Sequence, residues 1–491
     1  MKKIFLIIIV LLYSNQSFSQ STFSIKIQSG KDEYLSDFIE TENHEYIISG
    51  RIGTGDNQNG YIVRLSSTGD ILEEKIIELV DSNFVIQKII ELNDGNFMLY
   101  GFAGSKIDNF KNTHVIQKYD SNFNLLMEKR YKTHVPNCSI KRTRILKINN
   151  SNIILYGYVS MNNEFDLEHF YFETTQNGDS IHAKYTDIQS SIFCIPHALL
   201  EKDDYSGYFC YANSSNSPNV PAEILELNTL FETVNYIGVP NYIHGNGELK
   251  HVSDTSYILC GTTYEPTREQ DNDLGIAILD KRNNSIIKYN HSGKPDTIEI
   301  FGVYKCMEYS ENDNYIYTGG TCGYDYLSGL YRSVPSYYTF VKYNKSIDIL
   351  EERFIKNKNF NVVFFFKKTS DGGFIYISTS YDYTNPENGL DAHILKVDAN
   401  GNPPVSVNSK EKSHELIIYP NPAKNNLTIR TAVQRIGGIM SIYSISGKLT
   451  LQKSISKTIT NINVANLPKG TYIFKYTVKG KKIESGKFVK K

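Results

Sequence analysis

Apolar and polar positions along this chain follow a repeating unit. In each unit a turn-forming cluster of Asn, Asp and Gly precedes a continuous apolar run that usually ends in a small residue, as in Asn93-Asp94-Gly95 followed by Phe97 to Gly101. The first residue of this run occurs seven times, at positions 46, 97, 153, 208, 257, 315 and 374, so neighbouring units are 49–59 residues apart. Short apolar runs bounded by turn residues indicate buried strands, so the sequence predicts seven similar β-units.

Each unit is predicted to hold four strands. Strand a precedes the turn cluster, strand b follows it, strand c comes after a looser loop, and a tight turn such as Ser67 to Asp70 leads to strand d. Units of this length with four strands are typical of a β-propeller. We therefore expect an all-β, seven-bladed β-propeller; a six-bladed ring with one degenerate unit is the alternative.

The seventh unit offers no strand d, because Gly401 is followed by Pro403-Pro404. The segment Thr22 to Gln28 has the same pattern as strand d of the first unit, Ile71 to Ile77. We expect this N-terminal strand to complete the last blade and close the ring, so that no sheet edge stays open.

Residues 1–19 have the pattern of a signal peptide. Lys2 and Lys3 precede nine apolar residues, Ile4 to Leu12, and small residues Ser17 and Ser19 come before Gln20. The apolar run is too short to span a bilayer, and the alternative is a buried strand. No other segment approaches 18 continuous apolar residues, so no transmembrane segment is predicted in the mature chain.

Charge divides the chain into two parts. From Lys410 onward there are 16 Lys and Arg against three acids, whereas residues 21–408 hold 34 basic and 50 acidic residues. This division predicts two separately folded domains, and the acidic body argues against nucleic acid as its partner. Aromatics make up 12% of the chain, with many Tyr and Phe and no Trp, which favours strands over helices.

The last 75 or so residues carry several short motifs in a fixed order. Ile418 to Pro422 opens the segment, Ser441 to Lys448 and Leu467 to Tyr476 follow, and Gly486 to Lys490 closes it. Strands predicted at 427–429, 440–445, 449–455 and 472–478 indicate a small antiparallel, Ig-like β-sandwich. Its motif residues are Pro420, Asn421, Pro422, Gly447, Gly470, Lys487 and Lys490.

This order of motifs resembles the C-terminal type A sorting domain of the Bacteroidetes type IX secretion system. The resemblance implies a signal peptide at 1–19, a propeller at 20–408 and a sorting domain at 409–491 that the outer-membrane translocon recognises. It also implies cleavage between Val405 and His414 by a sortase-like peptidase, and a secreted or cell-surface location. The body is similar to the repeat propellers common in secreted Bacteroidetes proteins, whose activities that similarity does not carry over.

Six Cys, at 138, 194, 210, 260, 306 and 322, lie in a chain predicted to leave the cytoplasm, where disulfides are permitted. Fifteen complete pairings are open. Cys194 and Cys210 flank one predicted hairpin turn and are the first candidates for a pair, and a buried free thiol is the alternative for each.

Loops between strands b and c are predicted to be the longest, at 262–274, 320–337 and 380–391, and they carry many Tyr. Exposed Tyr gives a large contact area that suits carbohydrate or protein surfaces. The candidate ligand-binding residues are Tyr324, Tyr326, Tyr331, Tyr337, Tyr338, Tyr381 and Tyr383. The alternative is that these rings only pack the loops onto one another.

Candidate chemistry is sparse elsewhere. Asp271-Asn272-Asp273 and Asp56 to Gly60 could offer oxygens to Ca²⁺, but neither matches a full EF-hand, and short Asx runs are usually turns. HExxH, GxSxG and P-loop motifs are missing from the sequence, so no catalytic residue, metal or cofactor is predicted. We expect a binding module for a glycan or protein; the alternatives are a propeller enzyme of the glycoside hydrolase or lyase type and a purely structural surface role.

Overall fold

A computed structural model of the protein describes most of residues 20–404 and 416–491. The residues left out within these ranges are 56, 81, 106–111, 134, 136–137, 148–151, 161–166, 188–193, 215–221, 240–242, 264–270, 284, 310–312, 326–328, 432–435 and 479–480. The predicted signal peptide and the predicted cleavage segment lie outside the described residues. The described chain is built from β-strands and one short 3-10 helix, Pro386–Asn388. Among these residues, no helix is long and apolar enough to cross a membrane.

Described strands between residues 20 and 404 form seven antiparallel sheets, numbered here in chain order. Sheets 1 to 4 each follow the order of the chain. After β1 (Phe23–Ile27), sheet 1 holds β2 (Glu33–Glu40), β3 (Tyr46–Ile52), β4 (Asn59–Leu65) and β5 (Ile71–Ile77), and sheet 2 holds β6 (Ser82–Glu91), β7 (Phe97–Ser105), β8 (Thr113–Tyr119) and β9 (Leu125–Lys132). Sheet 3 holds β10 (Ser139–Lys147), β11 (Ile153–Ser160), β12 (Leu167–Thr174) and β13 (Ser180–Asp187), and sheet 4 holds β14 (Cys194–Glu201), β15 (Gly207–Ser214), β16 (Glu223–Asn228) and β17 (Thr233–Gly238).

Sheets 5 to 7 repeat this pattern with two variations. Sheet 5 holds β18 (Ile243–Ser253), β19 (Ser256–Thr263), β20 (Leu274–Asp280) and β21 (Ile286–Ser292). Sheet 6 has a divided first strand, β22 (Glu299–Phe301) and β23 (Met307–Glu308), followed by β24 (Tyr315–Cys322), β25 (Tyr337–Asn344) and β26 (Ile349–Lys356). Sheet 7 holds β27 (Phe360–Lys368), β28 (Phe374–Tyr381) and β29 (Leu390–Val397), and β1 pairs with β29 as its fourth strand.

Burial explains why the second strands are continuously apolar in sequence. Every residue of β19 is buried, and so is every residue but the last of β28, because neighbouring sheets cover both faces of the inner strands. The fourth strands β9 and β17 are mostly exposed or half-buried. Each sheet is therefore buried at its first strands and exposed to solvent at its last strand. Hydrophobic clusters lie between neighbouring sheets.

The small residue at the end of many second strands is explained by a bulge in the first strand. In sheet 2 the register shifts between Ile86 and Lys88, opposite Gly101, and the first strands of sheets 1, 3, 4, 5 and 7 also contain shifts. The bulge presses a backbone carbonyl onto the second strand: a Cβ on Gly101 would lie 2.3 Å from the Val85 oxygen. Glycine is therefore required by close backbone approach.

First strands contact one another in a closed circuit. The first strand of each sheet contacts that of the next, and β27 contacts β2. Since each sheet also runs outward from its first strand, the arrangement is β-propeller-like. Strand direction places the loops between second and third strands at the same end of the sheets as the connections from one sheet to the next.

The C-terminal segment forms two further sheets in its described part. One holds β30 (Leu416–Tyr419), β31 (Asn426–Thr431) and β34 (Ile459–Asn463); the other holds β32 (Ile439–Ser444), β33 (Leu449–Ser454), β35 (Gly470–Val478) and β36 (Lys481–Lys490). Buried residues of both sheets, such as Leu427, Ile442 and Tyr476, form one hydrophobic cluster. The two sheets therefore share a core.

Strand register excludes the first candidate disulfide. Cys194 lies opposite Ser214 and Cys210 opposite Leu199. Their Cα atoms are therefore separated by about four residues along the strands, roughly 13 Å, and a disulfide needs about 7 Å or less. The predicted Cys194–Cys210 pair is wrong, because the turn between β14 and β15 lies closer in sequence to Cys210. The thiols of Cys260 and Cys306, both fully buried, lie 3.5 Å apart.

Candidate functional site

We call the end of the sheets that carries the loops between second and third strands the loop end. At the loop end of sheets 5 to 7, only some of the predicted tyrosines lie together. Loops between the second and third strands here span 264–273, 323–336 and 382–389. At this end, Tyr331 is 51% exposed, and its ring lies 5.2 Å from that of Tyr381 in an edge-on contact. Tyr331 lies close enough to Tyr34, on the first strand of sheet 1, to add to the effect of burial in raising the pKa of the Tyr34 hydroxyl. We call Tyr34, Tyr331 and Tyr381 the tyrosine cluster.

The tyrosine cluster joins three sheets and has a cationic neighbour. Tyr331 comes from sheet 6, Tyr381 from sheet 7 and Tyr34 from sheet 1. The Arg51 guanidinium lies 3.7 Å from the centre of the Tyr34 ring, a cation–π contact. Burial raises the pKa of the Tyr34 hydroxyl, so it stays protonated and can donate a hydrogen bond at neutral pH. Sequence analysis did not select Tyr34, because it lies on a strand.

Other predicted tyrosines pack the loops. Tyr324, Tyr381 and Tyr383 are partly buried against the cluster of Ile300, Phe360 and Val362. The loop of sheet 6 is fastened further by Arg332, whose Nη1 donates to the Gly323 and Tyr324 carbonyls at 2.6 and 3.1 Å, and the Tyr383 hydroxyl donates to the Lys358 carbonyl at 3.0 Å. Loop packing and an exposed aromatic surface thus coexist at this end.

The three remaining predicted tyrosines, Tyr338, Tyr337 and Tyr326, have different outcomes. Tyr338 is 1% exposed, and its hydroxyl is hydrogen-bonded to Ser378 Oγ at 2.7 Å and to His393 Nδ1 at 2.5 Å. Its assignment to an exposed binding surface is wrong, because β25 begins at Tyr337 and position 338 faces the core. Tyr337 is partly buried beneath Lys294, whose Nζ lies 3.7 Å from the ring centre. Tyr326 lies outside the described residues.

A carboxylate cluster lies at the same end, between sheets 5 and 6. Asp271, Asp273 and Glu299 each offer an oxygen, and these oxygens lie within 4.8 Å of one another. Burial is the largest cause that raises the pKa of Glu299, to about 7, and the Asp273 charge adds to it. Sequence analysis identified Asp271 and Asp273 and missed Glu299, because no sequence spacing connects it to them.

The centre enclosed by the first strands is charged, and the charges are mixed. Lys88 Nζ lies 3.7 Å from Asp37 Oδ2, and Lys305 Nζ lies 2.7 Å from Glu308 Oε1. The Arg144 Nη2 donates to the Val303 carbonyl at 2.7 Å, which joins sheet 3 to the segment between β22 and β23. These two acids are thus each paired with a lysine and do not form an acid–base pair of carboxylates.

Motif residues of the C-terminal segment hold its strands together. Asn421 Oδ1 accepts from the Val489 amide at 2.8 Å, and this ties the Pro420-Asn421-Pro422 turn to β36. Gly447 has a φ of 83° in the turn that follows β32, and Gly470 pairs with Lys490 where β35 meets β36. Lys487 is exposed, whereas Lys490 is 7% exposed.

Comparison with solved structures gives matches of low similarity. A puromycin hydrolase matches at 9% identity with a TM-score of 0.45, over 91% of this chain and 59% of that one, so this chain spans less than two thirds of that protein's length. The polysaccharide lyase Uly1 matches at 9% identity and TM-score 0.43, over 74% of this chain and 90% of that one. An α-L-arabinanase of Penicillium chrysogenum complexed with arabinobiose matches at 10% identity and TM-score 0.36, over 63% and 92%. No curated protein matches this sequence.

The C-terminal segment has a clear family match. The family model described as "Secretion system C-terminal sorting domain" matches residues 417–491. This range includes all the motif residues that suggested the type IX pathway, from Pro420 to Lys490. Residues 417–491 are therefore a type IX secretion C-terminal sorting domain, and the protein is an exported one, extracellular or on the cell surface.

Proposed function

We propose that this protein is a seven-bladed β-propeller that serves as a secreted or surface-displayed binding module. The blade count is supported by the seven sheets of the described body and the closed circuit of their first strands. The pairing of β1 with β29 supports closure by the N-terminal strand.

The domain boundaries belong to the same proposal. Residues 1–19 are a signal peptide, 20–408 the propeller and 409–491 the sorting domain, folded as an Ig-like β-sandwich. The shared core of the two C-terminal sheets supports the sandwich. A chain ending at Pro404 tests the sorting role: in a host with the type IX system it should accumulate in the periplasm, whereas the full chain reaches the medium or the surface. Equal export of both chains would refute that role.

The ligand surface is the tyrosine cluster, and the half-exposed ring of Tyr331 is the observation that carries it. Aromatic faces with hydroxyl and guanidinium groups at their edges stack on sugar rings and bind sugar hydroxyls. We therefore favour an extracellular glycan over a protein as the ligand. The mixed charge pairs at the centre support a binding module over an enzyme.

The enzyme alternative finds its strongest residue in Glu299, whose pKa of about 7 suits a general acid. The side chain is fully buried, however, and a general acid must come within hydrogen-bonding distance of its substrate. A polysaccharide cannot reach Glu299 in this arrangement.

A glycan array with residues 20–491 tests the proposal. Tyr331→Ala should weaken binding at least about tenfold, which corresponds to about 1.4 kcal/mol. Tyr236→Ala is the matched control, because Tyr236 is 54% exposed on β17 at the outer edge of sheet 4. Equal binding by the two variants would refute the assigned surface, and silence of the wild-type chain across the array would refute glycan as the ligand.

A further inference from the structure

The carboxylate cluster is held by backbone pairing between sheets 5 and 6. Asn272 forms a parallel bridge with Ile298, and the Glu299 amide donates to the Asn272 carbonyl at 2.7 Å. The Thr263 amide donates to the Asp273 carbonyl at 2.8 Å. Residues 271–273 are thereby fixed against the start of β22, and the side chains of Asp271, Asp273 and Glu299 converge.

One oxygen of this cluster is buried without a hydrogen-bond donor. Glu299 is fully buried, and its Oε1 accepts from Thr297 Oγ1 at 2.6 Å and from the Lys294 amide at 3.4 Å. The Cys322 thiol, a weak donor, lies beside this carboxyl, but Oε2 has no partner at hydrogen-bonding distance. A buried carboxylate oxygen without a donor or cation is costly. The orphan oxygen therefore points to a missing positive partner.

Gly293 leaves room for the two oxygens that face each other. A Cβ at Gly293 would lie 1.8 Å from Asp273 Oδ1 and 3.1 Å from Glu299 Oε2. Both oxygens thus lie beside the same glycine, and any larger residue there would displace them. His291 Nδ1 contacts the other oxygen of Asp273, Oδ2, at 2.5 Å, which orients the carboxylate in the way that outer groups orient metal ligands.

Among the described residues, the Lys294 ammonium beside the cluster does not pair with it. Lys294 Nζ lies against the rings of Tyr337 and Phe354, at 3.7 and 4.5 Å from their centres. The carboxylates of Asp273 and Glu299 lie close enough to repel each other. A bound cation would remove that repulsion.

We propose that Asp271, Asp273 and Glu299 bind one Ca²⁺ ion that fastens sheet 5 to sheet 6 at the loop end. An all-oxygen, carboxylate-rich set suits a hard cation. Two oxygens on one ion can be at most twice the metal–oxygen distance apart, about 4.6–5.2 Å for Ca²⁺ and about 4.0–4.2 Å for Mg²⁺. The three oxygens lie within 4.8 Å of one another, so one Ca²⁺ ion can reach all of them. This inference is independent of the glycan proposal.

Thermal unfolding of residues 20–491 after EDTA treatment, with CaCl₂ or MgCl₂ added, tests the site. Ca²⁺ should raise the melting temperature with a half-maximal effect at about 0.1–1 mM, as in extracellular calcium modules. Glu299→Gln and Asp273→Asn should each shift that midpoint at least about 100-fold or abolish the effect. Glu42→Gln, at an exposed acid in the turn after β2, is the matched control and should respond like wild type.

A second readout separates lost binding from misfolding. In EDTA at pH 8, Glu299→Gln should melt no lower than wild type, because the amide replaces a buried carboxylate that has an unpartnered oxygen. Absence of any Ca²⁺ shift in wild type, or an equal shift in Glu299→Gln, would overturn the proposal. An equal or larger response to Mg²⁺ would overturn the choice of ion. Glycan binding by the wild-type chain in EDTA would leave the proposed function intact even if the cation site failed.

Discussion

Shortening Ile27 to alanine probes how β1 contributes to the body. Ile27 is fully buried where β1 pairs with β29, and it lies opposite Ala392. It belongs to a hydrophobic cluster shared by sheets 1 and 7, which includes Phe38 and Ile394. The substitution removes three carbon atoms from this cluster and leaves the backbone pairing of β1 in place.

The expected cost follows from burial and cavity formation. Loss of three buried carbon atoms costs roughly 2–2.5 kcal/mol in transfer free energy. The close-packed neighbours of Ile27 cannot fully collapse into the space, so the cavity raises the expected loss of unfolding free energy to about 3–4 kcal/mol. A fourth strand that lay loosely on the sheet would give far less, because its side chain would repack.

Urea unfolding of residues 20–491, followed by circular dichroism and by tyrosine fluorescence, measures this cost. Val80→Ala is the control: Val80 is 90% exposed, so its truncation should change stability by no more than about 0.5 kcal/mol. If Ile27→Ala unfolds at the same urea concentration as Val80→Ala, β1 does not complete sheet 7 in solution.

Three further predictions concern the body. Gly101→Ala should lower the unfolding free energy by about 3 kcal/mol or more, because its Cβ meets a backbone carbonyl; Gly238→Ala, where a Cβ meets nothing within 4 Å, should be close to neutral, and equal urea midpoints would contradict the bulge argument. Burial lowers the pKa of His393 to about 4. The contribution of His393 to the free energy of unfolding is therefore complete above about pH 6.5 and declines toward pH 4, by about 2 kcal/mol from pH 7 to 5. Glu299 acts in the opposite sense, so the test is that His393→Gln loses less stability than wild type over this range. The cysteines at 138, 210, 260, 306 and 322 are buried, so a thiol reagent should label these five in urea but not in native buffer, and rapid native labelling mapped to any of the five would contradict their burial.

Sequence pattern predicted the strands well where burial dictates composition. Second strands such as β19 are apolar throughout because both faces are covered, so position 257 and its equivalents were readily found. The bulges of the first strands were not predictable, because the extra residue is polar in one sheet and apolar in another, and only register reveals it. The small residue near each bulge, a glycine in sheets 1, 2, 3 and 5, was visible as a pattern, but its cause was not.

Predictions about side-chain partners succeeded less often. Tyr338 was misassigned because the loop of sheet 6 ends one residue earlier than its tyrosines suggest. Glu299 was missed because its proximity to Asp271 and Asp273 depends on how two sheets pack at their loop end. The sorting motifs carried their own signal, since their order along the chain identifies the family without a structure.

Binding without turnover tests the central claim most directly. Residues 20–491 would be incubated with each glycan retained by the array, and both the bound fraction and the glycan masses would be measured over time. The account predicts saturable binding that Tyr331→Ala weakens, with every glycan recovered at its original mass. Shortened or unsaturated products formed by the wild-type chain would contradict a binding module and establish an enzyme.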